Sequence, residues 1–131
     1  MELGEAMIVA GFGFRQGASS GDILAALDAA LAAHGRREVA ALATSQDKAA
    51  EPGLLAAGRA LGRPVTALPQ EKLLAVAHQT LTRSDRSMEA TGLPSLSEAA
   101  ALAAAGEAAR LLGPRVVVGA ATCALAEGGA A

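Results

Sequence analysis

The apolar residues of this chain form short continuous runs that alternate with longer segments of helical periodicity. Between the first two runs, Ile23, Leu27 and Leu31 repeat with the spacing of one helix face. Short runs without alternation predict strands that are buried on both faces. Four such runs occupy positions 7–10, 39–43, 65–68 and 115–121.

Capping residues set the limits of the first two predicted helices. Ser19 and Asp22 fit a capping box at the start of the first helix, which His34 and Gly35 end. Pro52 suits the first turn of the second helix, because proline there sacrifices no hydrogen bond. The glycine of Leu61-Gly-Arg-Pro-Val65 ends the second helix. Each of these two helices follows an apolar run after an intervening loop.

The second half of the chain predicts two further helices around a polar loop. Residues 69–78 favour a short helix, and Ser95 with Glu98 fits another capping box. That box begins an alanine-rich helix that we expect to reach about Leu112, before Gly113. The intervening segment 79–94 is polar with weak periodicity, which indicates a loop.

Alternating strands and helices predict an α/β fold with one domain. We expect a three-layer α/β/α sandwich with a mostly parallel central sheet, since helices must cover both faces of such a sheet. A chain of 131 residues suits a single core, which we place at 7–126. Residues 1–6 and 127–131 are predicted to be flexible termini.

Composition excludes several classes of protein. The net charge of −2 without a basic block argues against nucleic-acid binding. One cysteine and no histidine–cysteine cluster predict neither a disulfide nor a metal site, and they favour a cytoplasmic location. No segment is apolar over a membrane-spanning length, so we expect no membrane partner. Nothing in the sequence predicts a cofactor.

The loop after the first strand is a candidate anion site. Gly11, Gly13 and Gly17 would let a ligand approach the backbone near a helix N-terminus, and Arg15 could clamp a carboxylate or phosphate. The spacing matches neither the dinucleotide nor the Walker fingerprint. An alternative is a plain turn before a helix capped by Ser19, with one of the two phenylalanines packing inward and the other outward.

The loop after the second strand is the other candidate. Thr44, Asp47, Lys48 and Glu51 place hydroxyl, carboxylate and ammonium groups close together, where a base and a cation could act. The three charged residues could equally be a solvated helix start. Because the carboxyl ends of parallel strands share one sheet edge, both loops are expected to meet there. Ser95 and Glu98, which begin the alanine-rich helix, could be explained by helix capping alone.

These loops and the last capping box carry a resemblance to a known family. The chain resembles the CobE proteins and the C-terminal domain of CbiG, and it is nearest to stand-alone CobE because it lacks the additional N-terminal part of CbiG. The matching phrases are Gly11-Phe-Gly-Phe-Arg15 with Gly17-Ala-Ser19, Ala41-Leu-Ala-Thr44 with Asp47-Lys-Ala-Ala-Glu-Pro-Gly-Leu54, and Thr91-Gly-Leu-Pro-Ser95 with Ser97-Glu-Ala-Ala-Ala-Leu102.

The resemblance implies a role in building the corrin ring of cobalamin. CbiG is associated with opening a ring lactone, whereas the role of CobE is less settled. A corrin or precorrin carries many carboxylates around an apolar ring, which suits Arg15, Lys48, the N–H groups after Gly17 and Ser95, and a phenylalanine face. If hydrolysis occurs, we expect Glu51 or Glu98 to act as the base.

Other functions remain open at the level of sequence. The glycine loop could instead bind a phosphate or a nucleotide, which is the main alternative. An interaction protein that docks on other corrin-pathway enzymes is a third reading, and a homodimer is compatible with so small a domain.

Overall fold

The computed structural model describes residues 7–128, which form a single sheet with helices on both faces. The strands are β1 (Ile8–Phe14), β2 (Ala41–Ser45), β3 (Val65–Leu68), β4 (Arg110–Leu111), β5 (Val116–Val118) and β6 (Ala121–Glu127). The helices are α1 (Ser20–Ala33), α2 (Pro52–Leu61), α3 (Gln70–Ala75), α4 (Asp85–Thr91) and α5 (Leu96–Ala105).

The sheet is mixed, with a parallel half and an antiparallel half. Its strand order is β3-β2-β1-β6-β4, and β5 also pairs with β6, at the opposite end of that strand from β4. The pairs β1–β2 and β2–β3 are parallel, whereas β6 runs antiparallel to β1, β4 and β5. The predicted α/β fold with one sheet is therefore confirmed, and the antiparallel strands lie on the C-terminal side.

Two hydrophobic clusters lie between the sheet and the helices, one on each face of the sheet. Successive residues of a strand point to opposite faces, so Ala10 packs with α1 and α2 while Val9 packs with α3 and α5. Most buried side chains are small or aliphatic, and Phe12 is among the largest that are fully buried. The three-layer arrangement follows from these two faces.

Helix α5 lies almost in contact with the backbone of β1. A Cβ atom at Gly11 would meet the carbonyl oxygen of Ser97 and lie 2.5 Å from the backbone nitrogen of Ala101. Only glycine at this position allows the helix to approach the strand so closely. Gly11 therefore allows close packing of α5 on β1, and it lies in the strand beneath the helix, not in a loop.

The limits of several elements differ from those the sequence predicts. β1 continues through the Gly11 to Phe14 segment, so the glycine-rich phrase is mostly strand and the loop begins only at Arg15. Helix α5 ends at Ala105 because Gly106 takes a positive φ of 107°, and β4 occupies part of its expected length. The expected loop at 79–94 contains α4, which has no buried residue.

The predicted last strand is in fact a hairpin. β5 and β6 are joined by Gly119 and Ala120, and Gly119 takes a φ of 57°, which a tight two-residue turn requires at that position. β6 continues to Glu127, beyond the limit predicted for the core. The predicted flexible residues 1–6 and 129–131 lie outside the described residues.

Other boundaries agree closely with the prediction. Ser19 and Asp22 form the expected capping box, and Pro52 occupies the first turn of α2. Gly62 ends α2 in the left-handed conformation. No helix within residues 7–128 has both the length and the hydropathy needed to cross a bilayer.

Candidate ligand-binding cleft

The loops after β1 and β2 meet at the carboxyl edge of the parallel strands. The hydroxyl of Thr44 donates to the carbonyl oxygen of Phe12 at 2.9 Å, which holds the two strand ends together. The backbone N–H of Gly17 donates to Oε1 of Glu51 at 3.2 Å, so the following turns are joined as well. The convergence expected from parallel strands is confirmed.

A cleft of about 340 Å³ opens beside this junction. Its walls come from the end of β1, from α4, from the start of α5 and from the β5–β6 hairpin. The lining residues are Gly13, Phe14, Arg15, Lys48, Ser84, Arg86, Ser87, Ala90, Thr91, Leu96, Arg115, Val117, Gly119, Ala120, Ala121 and Thr122.

The charged side chains that line the cleft are all cationic. They are Arg15, Lys48, Arg86 and Arg115, which come from separate parts of the chain, and no carboxylate within residues 7–128 lines it. The ion pairs found in the described region use other arginines, at positions 36, 63 and 110. The cleft is therefore electropositive although the whole chain carries a charge of −2.

Lys48 is held in place before any ligand binds. Its Nζ donates to the carbonyl oxygen of Phe14 at 2.9 Å and lies 5.3 Å from the centroid of the Phe14 ring. A cation over an aromatic face gains electrostatic stabilisation, and a fixed ammonium loses little side-chain freedom on binding. One hydrogen bond leaves further donors of this ammonium for a ligand.

Apolar and hydroxyl groups complete the walls. The 61% exposed Val117 supplies apolar surface, and the largely buried Phe14 and Leu96 add only the edges of their side chains. Ser84 and Ser87 of the α4 region add hydroxyl donors, and Ser84 caps α4 by accepting from the N–H of Ser87 at 3.1 Å. The cleft thus combines cations, neutral donors and an apolar floor, as sites for amphipathic anions do.

Some of the predicted site residues line this cleft and others have structural roles. Gly13, Phe14, Arg15 and Lys48 line it. Asp47 instead lines a second hollow of about 280 Å³, which shares Ala90, Thr91 and Leu96 with the cleft. The remaining predicted residues lie outside the lining of the cleft: Gly17, Ser19, Thr44, Glu51, Ser95 and Glu98.

The two phenylalanines differ from the expected arrangement. Phe12 and Phe14 are two positions apart on one strand and therefore share a face, and both belong to the same core cluster. Phe12 is fully buried and has no surface for a ligand, whereas Phe14 also reaches the cleft wall. The inward and outward packing given for them in the alternative interpretation, a plain turn, is therefore wrong.

The predicted catalytic carboxylates are engaged elsewhere. Glu51 accepts from Gly17 and precedes α2. Glu98 is fully buried, with four donors around its carboxylate. Ser95 precedes α5, but its hydroxyl makes no capping hydrogen bond and no other bond, so the predicted capping box does not form.

Sequence reasoning missed two of the four cleft cations. Arg86 lies on α4, in a segment without apolar periodicity, and Arg115 lies just before β5. Better local signals were present: Ser84 followed by Asp85 fits a helix start, and Gly119 between two apolar stretches fits a hairpin turn. Their convergence with Arg15 depends on the strand order.

The single cysteine has no chemistry at the cleft. Cys123 is fully buried in β6, and this burial raises the pKa of its thiol far above the ordinary range. We predict that iodoacetamide modifies Cys123 only when the protein unfolds, as measured by mass spectrometry with and without urea. Fast modification of the native protein would contradict this placement.

Comparison with known proteins identifies the family. The family model for the cobalamin synthesis G C-terminus matches residues 8–126. The chain belongs to this family. No curated protein is significantly similar in sequence.

Groups of three or more metal-ligating side chains that could hold an ion are absent from residues 7–128.

Solved structures agree with this assignment. CobE, a protein from the cobalamin biosynthetic pathway, is 37% identical with a TM-score of 0.90, over 97% of this chain and 94% of CobE. The cobalamin biosynthesis protein chiG from Agrobacterium tumefaciens is 49% identical with a TM-score of 0.75, over 93% of this chain and 98% of that one. The predicted resemblance to CobE and CbiG is confirmed.

A more distant structure shares only the fold. A protein provisionally described as a cobalamin biosynthesis protein G homolog from Sulfolobus solfataricus is 14% identical, with a TM-score of 0.66. The match covers 93% of this chain but 36% of the longer protein. The architecture described above is therefore also found as part of a larger chain.

Proposed function

We propose that this member of the CobE and CbiG family binds a corrin or precorrin polycarboxylate in the cationic cleft. The observation that carries the proposal is that Arg15, Lys48, Arg86 and Arg115 surround one cleft whose described lining contains no carboxylate. Guanidinium and ammonium groups form charge-assisted hydrogen bonds with carboxylates, and arginine can do so through two parallel bonds.

The size of the cleft favours binding of one edge of the macrocycle. A hollow of about 340 Å³ is at the small end of the range for drug-sized ligands, and a corrin polycarboxylate is larger than such ligands. The acetate and propionate groups of one edge would reach the cations, while the apolar ring would lie against the exposed Val117 and the small accessible edge of Phe14. The opposite edge would stay accessible to a second protein.

The geometry favours binding over hydrolysis. A general base must lie within hydrogen-bonding reach of the water that it activates. Glu51 is bonded to the Gly17 N–H and Glu98 has four donors, and neither lines the cleft. Lactone opening by either carboxylate would need a rearrangement of these bonds, so we assign the chain to binding or transfer of the intermediate.

Phosphate or nucleotide binding by the glycine loop has less support. Gly11 and Gly13 belong to β1, so neither offers a loop backbone to a phosphate. The carboxylate of Glu51 already accepts from the Gly17 N–H, which is where an anion at the loop would bind. A nucleotide would have to displace this internal anion.

Titration with corrin intermediates tests the proposal. We expect absorbance changes that saturate with corrin polycarboxylates, with and without cobalt, and a much weaker response with their methyl esters, which lack the charge. Affinity should fall as salt rises, because the cations are partly exposed. Equal affinity for acid and ester, or no binding by any acid, would contradict the proposal.

The same mixtures separate binding from catalysis and from the nucleotide alternative. Analysis for ring-opened product and acetaldehyde should give none with a lactone precursor that binds. ATP, NAD or inorganic phosphate should not displace the bound corrin when all samples are adjusted to the same ionic strength. Accumulation of the ring-opened product would instead establish a hydrolase.

Three expectations about the cellular setting stay predictions. They are the cytoplasmic location, docking on other corrin-pathway enzymes, and a homodimer. Docking would place a partner over the open side of the cleft, where the bound ligand remains accessible. Co-purification with pathway enzymes in the presence of the corrin tests it.

A further inference from the structure

The buried carboxylate of Glu98 joins two walls of the cleft. Glu98 lies in the first turn of α5 and is fully buried. Its Oε1 accepts from the backbone N–H groups of Leu81 and Thr82 at 2.7 and 2.9 Å. Its Oε2 accepts from the hydroxyl of Thr82 at 2.6 Å and from the N–H of Arg115 at 2.8 Å.

These four bonds come from two segments that are far apart in sequence. Thr82 lies two residues before Ser84, which caps α4, the helix that carries Arg86. Arg115 immediately precedes β5, the first strand of the hairpin. Both segments line the cleft. The Glu98 carboxylate, in the first turn of α5, accepts hydrogen bonds from both of them.

The four donors suit a group that acts only as a hydrogen-bond acceptor. A carboxylate accepts on both oxygens and offers no proton, so four donors can surround it without conflict. Bonds to such a group are shorter and stronger than neutral ones, and a buried group with every partner satisfied is rigid. A glutamine would place an NH2 group opposite at least one of these donors.

We propose that Glu98 is a positioning residue, which fixes the spacing between Arg115 and the α4 wall and thereby sets the affinity of the cleft for polyanions. It acts through the backbone of these segments and does not touch the ligand. The predicted effect on binding rests on the proposed function, whereas the effect on the two walls does not.

Hydrogen exchange without ligand tests the positioning role directly. In Glu98→Gln, we expect the amides of Leu81, Thr82 and Arg115 to exchange about tenfold faster or more, since each loses a charge-assisted bond or its geometry. Amides in the middle of β1 and β2 should keep their protection. Glu107→Gln, an exposed carboxylate without a hydrogen bond in the described region, serves as the matched control.

Binding of uroporphyrin, a polycarboxylate tetrapyrrole, tests the link to the cleft. We expect Glu98→Gln to weaken binding about tenfold, and Glu107→Gln to leave it unchanged. Glu98→Gln should reduce the affinity less in the Arg115→Ala background than in the native background. Both substitutions would weaken the same contact, the one between Arg115 and the ligand. Fully additive losses would overturn the inference.

Other outcomes are equally decisive. Unchanged exchange at all three amides in a folded Glu98→Gln protein would overturn the positioning role. If the native protein binds no uroporphyrin and no corrin acid, the proposed function fails, but the exchange result still decides the role of Glu98. If Glu98→Gln does not fold, Thr82→Val removes only the 2.6 Å bond and should shift exchange and binding in the same direction by less.

Discussion

Gly11→Ala is expected to lower the free energy of unfolding by about 3 kcal/mol, the upper end of the usual range for overpacking. The added methyl group would meet the Ser97 carbonyl oxygen and the backbone nitrogen of Ala101. Backbone atoms of a helix cannot move aside as the end of a flexible side chain can. The helix would have to shift, and α5 contacts most of the sheet.

Urea unfolding followed by circular dichroism measures this effect, since the chain has neither tryptophan nor tyrosine for fluorescence. Gly21→Ala is the matched control, because a Cβ there lies 3.5 Å from Oγ of Ser19. We expect this control to leave stability unchanged or to raise it by about 0.5 kcal/mol through a stiffer unfolded chain. Equal stabilities for the two variants would contradict the close packing of α5 on β1.

Removing two cleft cations together should have the largest effect on binding. We expect Arg15→Ala/Arg115→Ala to weaken binding of a corrin polycarboxylate about a hundredfold or more, because each lost charge-assisted hydrogen bond contributes about 1.5–3 kcal/mol. Stability should change little, since neither guanidinium has an ion pair or hydrogen bond in the described region. Absorbance titration at fixed salt gives the ratio of affinities.

The control must separate local contacts from long-range charge. Arg37→Ala/Arg59→Ala removes the same charge from exposed positions outside the cleft. Screening limits such distant charges, so we expect a change of about twofold or less at physiological salt. A similar loss in both double variants would show that the cleft itself does not bind the ligand.

The sequence contains most of the information for the parallel half of the fold. The Ser19 capping box, Pro52 and the glycine at the end of α2 are local features, so they predict the same limits that the structure has. The edge shared by the first two loops was predictable too, because it follows from parallel pairing alone.

The C-terminal half could not be read in the same way. Gly106 and Gly119 end elements through positive φ values. Such glycines are local signals of a break, but they do not show which strand the next segment pairs with. β6 pairs with β1 across more than a hundred residues of sequence, for example Phe12 with Cys123. Nothing local to either strand specifies that partner.

The candidate site was predictable in part for the same reason. Arg15 and Lys48 follow the parallel strands directly, so local pattern was enough to select them. Arg86 lies on α4 and Arg115 lies just before the hairpin. Both elements have local signals, but their convergence with Arg15 depends on the tertiary strand order. The hydrogen bonds of Glu98 could not be predicted either, because their donors come from residues 16 or 17 positions away in either direction.

Helix α4 supplies one wall of the cleft yet contributes no buried residue. Surface substitutions away from packed positions usually change stability by less than about 0.5 kcal/mol. Exchanges in α4 can therefore alter the size and charge of the opening at little thermodynamic cost. Divergence in ligand preference among related proteins should begin in this helix, while α5 and β1 tolerate almost no change where they touch.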